Sequence, residues 1–146
     1  MRNETVLQWK LPPCGKQKLN FDAALFHDIN FAGVGVILRN EVGEVVFALS
    51  RKEIGVSAVD GIEALAFFRG LQMLLNMGCN GLIIEGDSMH VIDDIKSREP
   101  RFTSQVPIIK EIQQILRHLS DWELSHVGRW GNEAAHFASK TCLYGG

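Results

Sequence analysis

Three carboxylates carry the chemical interest of this sequence: Asp22, Glu63 and Asp87. Asp22 interrupts the run Leu19-Asn20-Phe21-Asp22-Ala23-Ala24-Leu25-Phe26, where an acid is costly to bury unless it is paired or bound to metal. Glu63 falls in the first two turns of a segment with helical periodicity, and Asp87 follows the short apolar run Leu82-Ile83-Ile84. A strand acid, a helix acid and an acid at the end of a neighbouring strand can converge where the helix packs on the sheet. Clustered carboxylates repel, which raises their pKa values unless a cation sits among them, so such a trio points to a hard-metal site. Oxygen ligands favour magnesium or manganese. Two such ions about 4 Å apart activate a water and stabilise the leaving oxygen of a phosphodiester, the arrangement for hydrolysis by in-line displacement. With 17 acidic residues in the chain, spacing alone does not separate this trio from solvated acids at strand ends.

The elements that must position these acids follow from periodicity. Lys18 to Phe26 alternates as a strand buried on both faces or nearly so. Gly33 to Leu38 and Val45 to Leu49 are β-rich runs joined by Asn40-Glu41-Val42-Gly43, which has hairpin turn chemistry, so three antiparallel strands open the domain. From Ser57 to Gly78, residues Ala64, Phe67, Phe68, Leu71, Leu74 and Leu75 fall at helical spacing, and Gly78 provides a stop. Leu82 to Glu85 reads as a short buried strand that ends at Gly86-Asp87-Ser88, where Asp87 or Ser88 can cap a helix carrying Val91, Ile92 and Ile95. Ile108, Ile109, Ile112, Ile115, Leu116 and Leu119 form the stripe of an amphipathic helix, with Lys110, Glu111, Gln113, Gln114 and Arg117 facing away. Trp122 to Val127 alternates as a fifth strand, and Asn132 to Cys142 forms a final helix. The predicted order is βββαβααβα, with the polar stretch Ser97 to Pro107 as a loop.

At 146 residues with 46% hydrophobic content, the chain fits one domain. The Pro12-Pro13 pair and Gly15 mark residues 1–15 as a linker, leaving 16–146 as the domain. The net charge of −2 excludes a strongly basic nucleic-acid binder, and Lys16, Lys18, Arg39, Arg51 and Lys52 read as scattered solubilising charge. Cys14, Cys79 and Cys142 are odd in number and far apart, against a disulfide framework or a zinc site, and fit a reducing, intracellular setting. No apolar run reaches the roughly 20 residues needed to span a bilayer, and no signal peptide is evident. Gly33-Val34-Gly35 lacks the third glycine and following helix of a dinucleotide fingerprint. The five histidines lack zinc spacing, and Ser88 lies in no recognisable nucleophile elbow.

An ordered set of motifs narrows the field: Trp9, Lys18-Leu19-Asn20-Phe21-Asp22-Ala23-Ala24, Gly33 to Asn40 with Gly43, Glu63-Ala64-Leu65-Ala66, Glu85-Gly86-Asp87-Ser88, and His126-Val127-Gly128-Arg129 through Asn132-Glu133-Ala134-Ala135-His136-Phe137-Ala138. From about Trp9 to Leu143 the chain resembles the ribonuclease H family. More narrowly, it is similar to the plant reverse-transcriptase-like branch, found alone and at the end of retroelement polyproteins. The resemblance implies an α/β ribonuclease H-like fold, with a five-stranded mixed sheet of three antiparallel and two further parallel strands flanked by helices. It implies Asp22, Glu63 and Asp87 as ligands for two Mg2+ or Mn2+ ions that support cleavage of the RNA strand of RNA/DNA hybrids.

The family's fourth acidic position matches His136, which joins the expected catalytic set as an imidazole. Histidine ligates metal and moves protons near neutral pH but lacks the negative charge that favours magnesium, so weakened, manganese-preferring catalysis is expected. Ala23, Ser88, Arg129 and Asn132 match substrate-contacting positions. Asp60-Gly61-Ile62 replaces the pair of amide side chains that many members carry before the helix glutamate, and Arg129 occupies the loop of the family's mobile histidine, where it can hold a phosphate. No basic insertion separates the middle helices, so affinity from counterion release is expected to be modest. The competing reading is a catalytically weakened or inactive module that keeps the fold for nucleic-acid or protein interaction, its site eroding from His136 onward. An exonuclease of the same superfamily needs a further acid in the last helix, which Glu133 and His136 do not supply.

Overall fold

The computed structural model describes residues 8–26, 31–54, 59–78, 81–97 and 106–141. His27, Cys79, Cys142 and residues 98–105 of the expected loop lie outside them, as does the side chain of Asp60. The elements are β1 (Gln17–Phe26), β2 (Phe31–Arg39), β3 (Val45–Ile54), α1 (Val59–Leu75), β4 (Leu82–Gly86), α2 (Met89–Lys96), α3 (Val106–Arg117), β5 (Trp122–His126), a 3₁₀ turn (Arg129–Asn132) and α4 (Glu133–Thr141). This is the predicted βββαβααβα order. The strands align as β3-β2-β1-β4-β5, with β1, β2 and β3 antiparallel and β4 and β5 joined in parallel.

Local chemistry explains the hairpin between β2 and β3. Asn40 Oδ1 accepts hydrogen bonds from the backbone N–H groups of Val42 (3.1 Å) and Glu44 (2.9 Å), while Gly43 takes a φ of +87° that an L side chain rarely adopts. Both strands run further than their apolar stretches suggest, to Arg39 and Ile54, because cross-strand pairing carries their polar ends.

β1 is the middle strand, and its period-two alternation divides two environments. Leu19, Phe21, Ala23 and Leu25 join the main core with Phe67, Leu71 and Leu74 of α1 and Ile109, Ile112 and Leu116 of α3. Lys18, Asn20 and Asp22 point to the opposite face and are also buried. On that face α4 crosses the sheet over β1, β2 and β3. The crossing depends on Gly35, where a Cβ would overlap the Ala135 carbonyl oxygen and the Ser139 amide nitrogen. Gly35 is therefore a point of close backbone approach, a role unrelated to the phosphate-cradling one excluded above.

Some expectations require correction. Leu75, placed on the core face of α1 by spacing, is 51% exposed, since the helix ends there and turns away toward Gly78. Gln113 does not face away: its amide donates to the carbonyls of Ile95 (3.0 Å) and Ser97 (2.8 Å), tying α3 to the end of α2. Ser88 sits at the N-cap of α2 without a side-chain capping bond. Lys18 is not a solubilising charge: its Nζ lies 3.2 Å from Glu85 Oε1 and donates to the Lys10 carbonyl at 2.6 Å. The final helix begins at Glu133, one residue later than predicted, after the 3₁₀ turn that contains Asn132. No helix among the described residues is long and apolar enough to cross a membrane.

Candidate metal centre

Asp22 lies in the middle of β1, just past the last pair of the β1–β4 register at Phe21 and Gly86; Glu63 faces it from the first turns of α1, and Asp87 follows the last residue of β4. One carboxylate oxygen from each falls within 4.8 Å of the other two. Convergence follows from topology: β1 and β4 run in the same direction side by side, and β4 ends opposite Phe21, so Asp87 emerges beside Asp22 where α1 begins. Asp22 is 2% exposed and Glu63 8%, while Asp87 is open to solvent on one side.

Such crowding is electrostatically unfavourable without a cation. Burial, then the neighbouring carboxylates of Asp22 and Asp87, push the Glu63 carboxyl up to about 10, although the Ala23 backbone N–H works in the other direction. Burial and Asp22 also raise Asp87, against the opposing influence of its own backbone N–H, His136 and His126. Glu63 Oε2 is fully buried with no hydrogen-bond partner. An orphaned acceptor between two other acids, in an all-oxygen donor set, fits a hard divalent cation.

This crowding has a measurable consequence in the metal-free protein. Below pH 4.5 Glu63 holds its proton in folded and unfolded chains alike. As pH rises from 4.5 towards about 10, the unfolded chain gives up that proton while the folded chain keeps it, so stability falls through this window. In the presence of a chelator, Tm is expected to decline between about pH 5 and about pH 9, and Glu63→Gln should flatten the decline. A wild-type Tm that is constant or rises over that interval would contradict the buried, protonated Glu63.

His136 meets the trio from α4. Its Nδ1 lies 2.7 Å from Asp22 Oδ2, and the ring is about one-quarter exposed. Asp22 pairs in register with Gly35, so the close passage of α4 over Gly35 delivers the next helical residue after Ala135 to Asp22. Sequence reasoning therefore named the four side chains that converge. It missed His126, whose Nε2–H donates to the Asp87 carbonyl at 3.1 Å.

The expected substrate contacts divide. Ala23 and Ser88 directly follow Asp22 and Asp87, and Arg129 is exposed in the 3₁₀ turn. Asn132 is different. It is 1% exposed, its Nδ2 donates to the Phe21 carbonyl at 2.8 Å, and its Oδ1 accepts from Asn20 Nδ2 at 3.1 Å. Its side chain is turned inward and committed to protein partners. Asn20 Nδ2 also donates to Glu85 Oε2 at 3.0 Å, and Asn20 Oδ1 accepts from the Trp9 indole N–H at 2.9 Å. None of these partners except Asn132 was singled out from the sequence as part of the site, because an Asn or Lys on a strand does not reveal which face it occupies.

Residues 20–142 match the family described as Reverse transcriptase-like. No curated protein sequence matches the chain. Among solved structures, RNase H1 from the halophilic archaeon Halobacterium salinarum NRC-1 superposes with a TM-score of 0.80 at 22% identity, over 90% of this chain and 99% of that one. LC11-RNase H1, isolated from compost and solved with an RNA/DNA hybrid, gives 0.77 at 19% identity over 89% and 98%. The foamy viral protease-reverse transcriptase in complex with dsDNA gives 0.73 at 15% identity over 89% and 95%. At these identities the structures establish a shared fold.

Proposed function

The chain belongs to the reverse transcriptase-like family of ribonuclease H-like domains, and from that premise we propose that it hydrolyses the RNA strand of RNA/DNA hybrids, using divalent ions held by Asp22, Glu63 and Asp87. The observation that carries this reading is the convergence of three carboxylates around the buried, unpartnered Glu63 Oε2. The hybrid bound to LC11-RNase H1 supports the substrate class. Magnesium or manganese held by Asp22, Glu63 and Asp87 would supply activation of the attacking water and charge neutralisation at the leaving oxygen. The chain's own residues do the rest. Asp22, Glu63 and Asp87 would hold the ion, and the packing of α1 and α4 on the sheet holds their orientation. The exposed Arg129 guanidinium is placed to hold a backbone phosphate, and the backbone beside Ala23 and Ser88 lies next to the ligands. A retroelement polyprotein origin belongs to the same proposal, supported by the foamy viral fold relative.

The test is cleavage of an end-labelled RNA/DNA hybrid in Mg2+ and in Mn2+. Product from the RNA strand alone supports the reading; bound but uncleaved hybrid in both metals favours the second one. That alternative, a weakened or inactive interaction module, rests on His136, an imidazole engaged with Asp22 where the family places an acid. An imidazole in place of a carboxylate leaves the site less negative and favours the softer ion. His136→Asp is accordingly expected to raise cleavage in Mg2+ by about tenfold and to narrow the Mn2+ over Mg2+ ratio. An unchanged metal ratio would remove His136 from the account of metal choice.

A further inference from the structure

A buried polar chain links the N-terminal segment to the candidate metal centre. Trp9 Nε1–H donates to Asn20 Oδ1 at 2.9 Å, Asn20 Nδ2 donates to Asn132 Oδ1 at 3.1 Å, and Asn132 Nδ2 donates to the Phe21 carbonyl at 2.8 Å. Phe21 precedes Asp22 on β1, and His136 lies four residues beyond Asn132, across the junction of the 3₁₀ turn and α4. Asn132 therefore binds β1 beside one member of the His136–Asp22 pair and begins the helical path that carries the other. The Trp9 ring is held in place as well, with the Arg39 guanidinium 4.5 Å and the Lys18 ammonium 5.3 Å from its centroid. Gly131, next to Asn132, packs against the backbone of Gln8, with the Gln8 carbonyl carbon 3.3 Å from where a Cβ would stand. Every polar atom of the Asn20 and Asn132 side chain amides used here is oriented by the donor and acceptor it meets, which fixes the amide rotamers.

We infer that Asn132, held through Asn20 by Trp9, is a positioning residue that sets His136 against Asp22, making residues 8–18 a working part of the metal centre. The inference rests on the proposed metal-binding function for its binding readout, but not for its spectroscopic one. Partners that orient metal-site groups typically govern metal affinity by tenfold or more.

The test is a double-mutant cycle in the full chain, read by Mn2+ titration and by the 15N resonances of the His136 ring at a pH where the ring is neutral. The Nδ1–H tautomer is the expected wild-type form, because Nδ1 faces Asp22 Oδ2 at 2.7 Å. Asn132→Ala is expected to weaken Mn2+ binding about tenfold and to shift the ring toward the Nε2–H tautomer. Trp9→Phe removes one N–H and keeps the ring packing, so it provides a folded variant if Asn132→Ala does not fold; its expected loss is roughly threefold, in the same direction. In a His136→Ala background both substitutions should have no further effect on Mn2+ affinity. Equal losses with and without His136, or an unchanged tautomer in either folded variant, would overturn the inference. Failure of the wild type to bind Mn2+ would instead sink the proposed function, and the tautomer would still decide the role of Asn132.

Discussion

Asp22→Asn is expected to reduce hybrid cleavage by at least about 10³-fold in either metal, corresponding to a barrier increase of about 4 kcal/mol. The substitution keeps volume and shape but removes a full negative charge from the centre of the trio. It also replaces the carboxylate that His136 Nδ1 meets at 2.7 Å with a neutral amide. Because the Asp22 carboxylate is one of the causes that hold the Glu63 carboxyl up, the same change in chelator should lessen the fall of stability with rising pH, leaving Tm unchanged near neutral pH or raising it towards pH 9. This opposition of activity and stability distinguishes a metal ligand from a structural aspartate, whose loss lowers both. The measurement is a paired hybrid-cleavage assay and thermal melt in chelator. Cleavage within tenfold of wild type would remove Asp22 from the site, and a large fall in Tm would mark it as structural instead.

The framework of the site was legible because it rests on short-range patterns. The alternation through Leu19, Phe21 and Ala23, the 3.6-residue stripe of Ile109, Ile112 and Leu116, and the Asn40 to Gly43 turn each reflect a local physical preference that the fold preserves. Asp22 was legible in a different way, since an acid within an apolar strand has few low-energy explanations, whereas Glu63 and Asp87 were singled out only by the ordered family motifs around them. The partnerships across elements were not legible. Lys18 and Asn20 have the composition of solvent-facing strand residues, yet both are buried, Lys18 against Glu85 and the N-terminal segment and Asn20 against Glu85, Asn132 and Trp9. Trp9 falls in a segment whose prolines signal a linker, but its ring and indole N–H dock on β1 and β2 side chains. The inward amide of Asn132 was hidden for the same reason. A motif position identifies a residue worth keeping, and only the packing of α4 shows whether its amide faces substrate or protein.

The packing of α4 can itself be perturbed at a single atom. Gly35→Ala adds one methyl group where the backbone of α4 already lies on β2, against the Ala135 carbonyl oxygen and the Ser139 amide nitrogen, with the Ala138 carbonyl carbon at 2.9 Å. Backbone cannot move aside as a flexible side chain can, so the helix must lift. Overpacking of this kind costs about 3 kcal/mol, at the upper end for one added carbon, and α4 is the element that absorbs the displacement. Two hydrogen bonds report the shift: Ser50 Oγ to the Ala138 carbonyl, 2.6 Å, and His136 to Asp22, 2.7 Å. Hydrogen exchange in Gly35→Ala is therefore expected to accelerate across Glu133–Thr141 far more than in α1, whose core contacts lie on the opposite face of the sheet. Mn2+-supported cleavage should fall more than tenfold even at temperatures where the sheet remains folded, since His136 moves with the helix. Uniform acceleration across all elements would indicate global destabilisation instead. Unchanged exchange in α4 would mean that β2 yields and the helix does not, placing the rigid element of the site in α4 and not in the sheet.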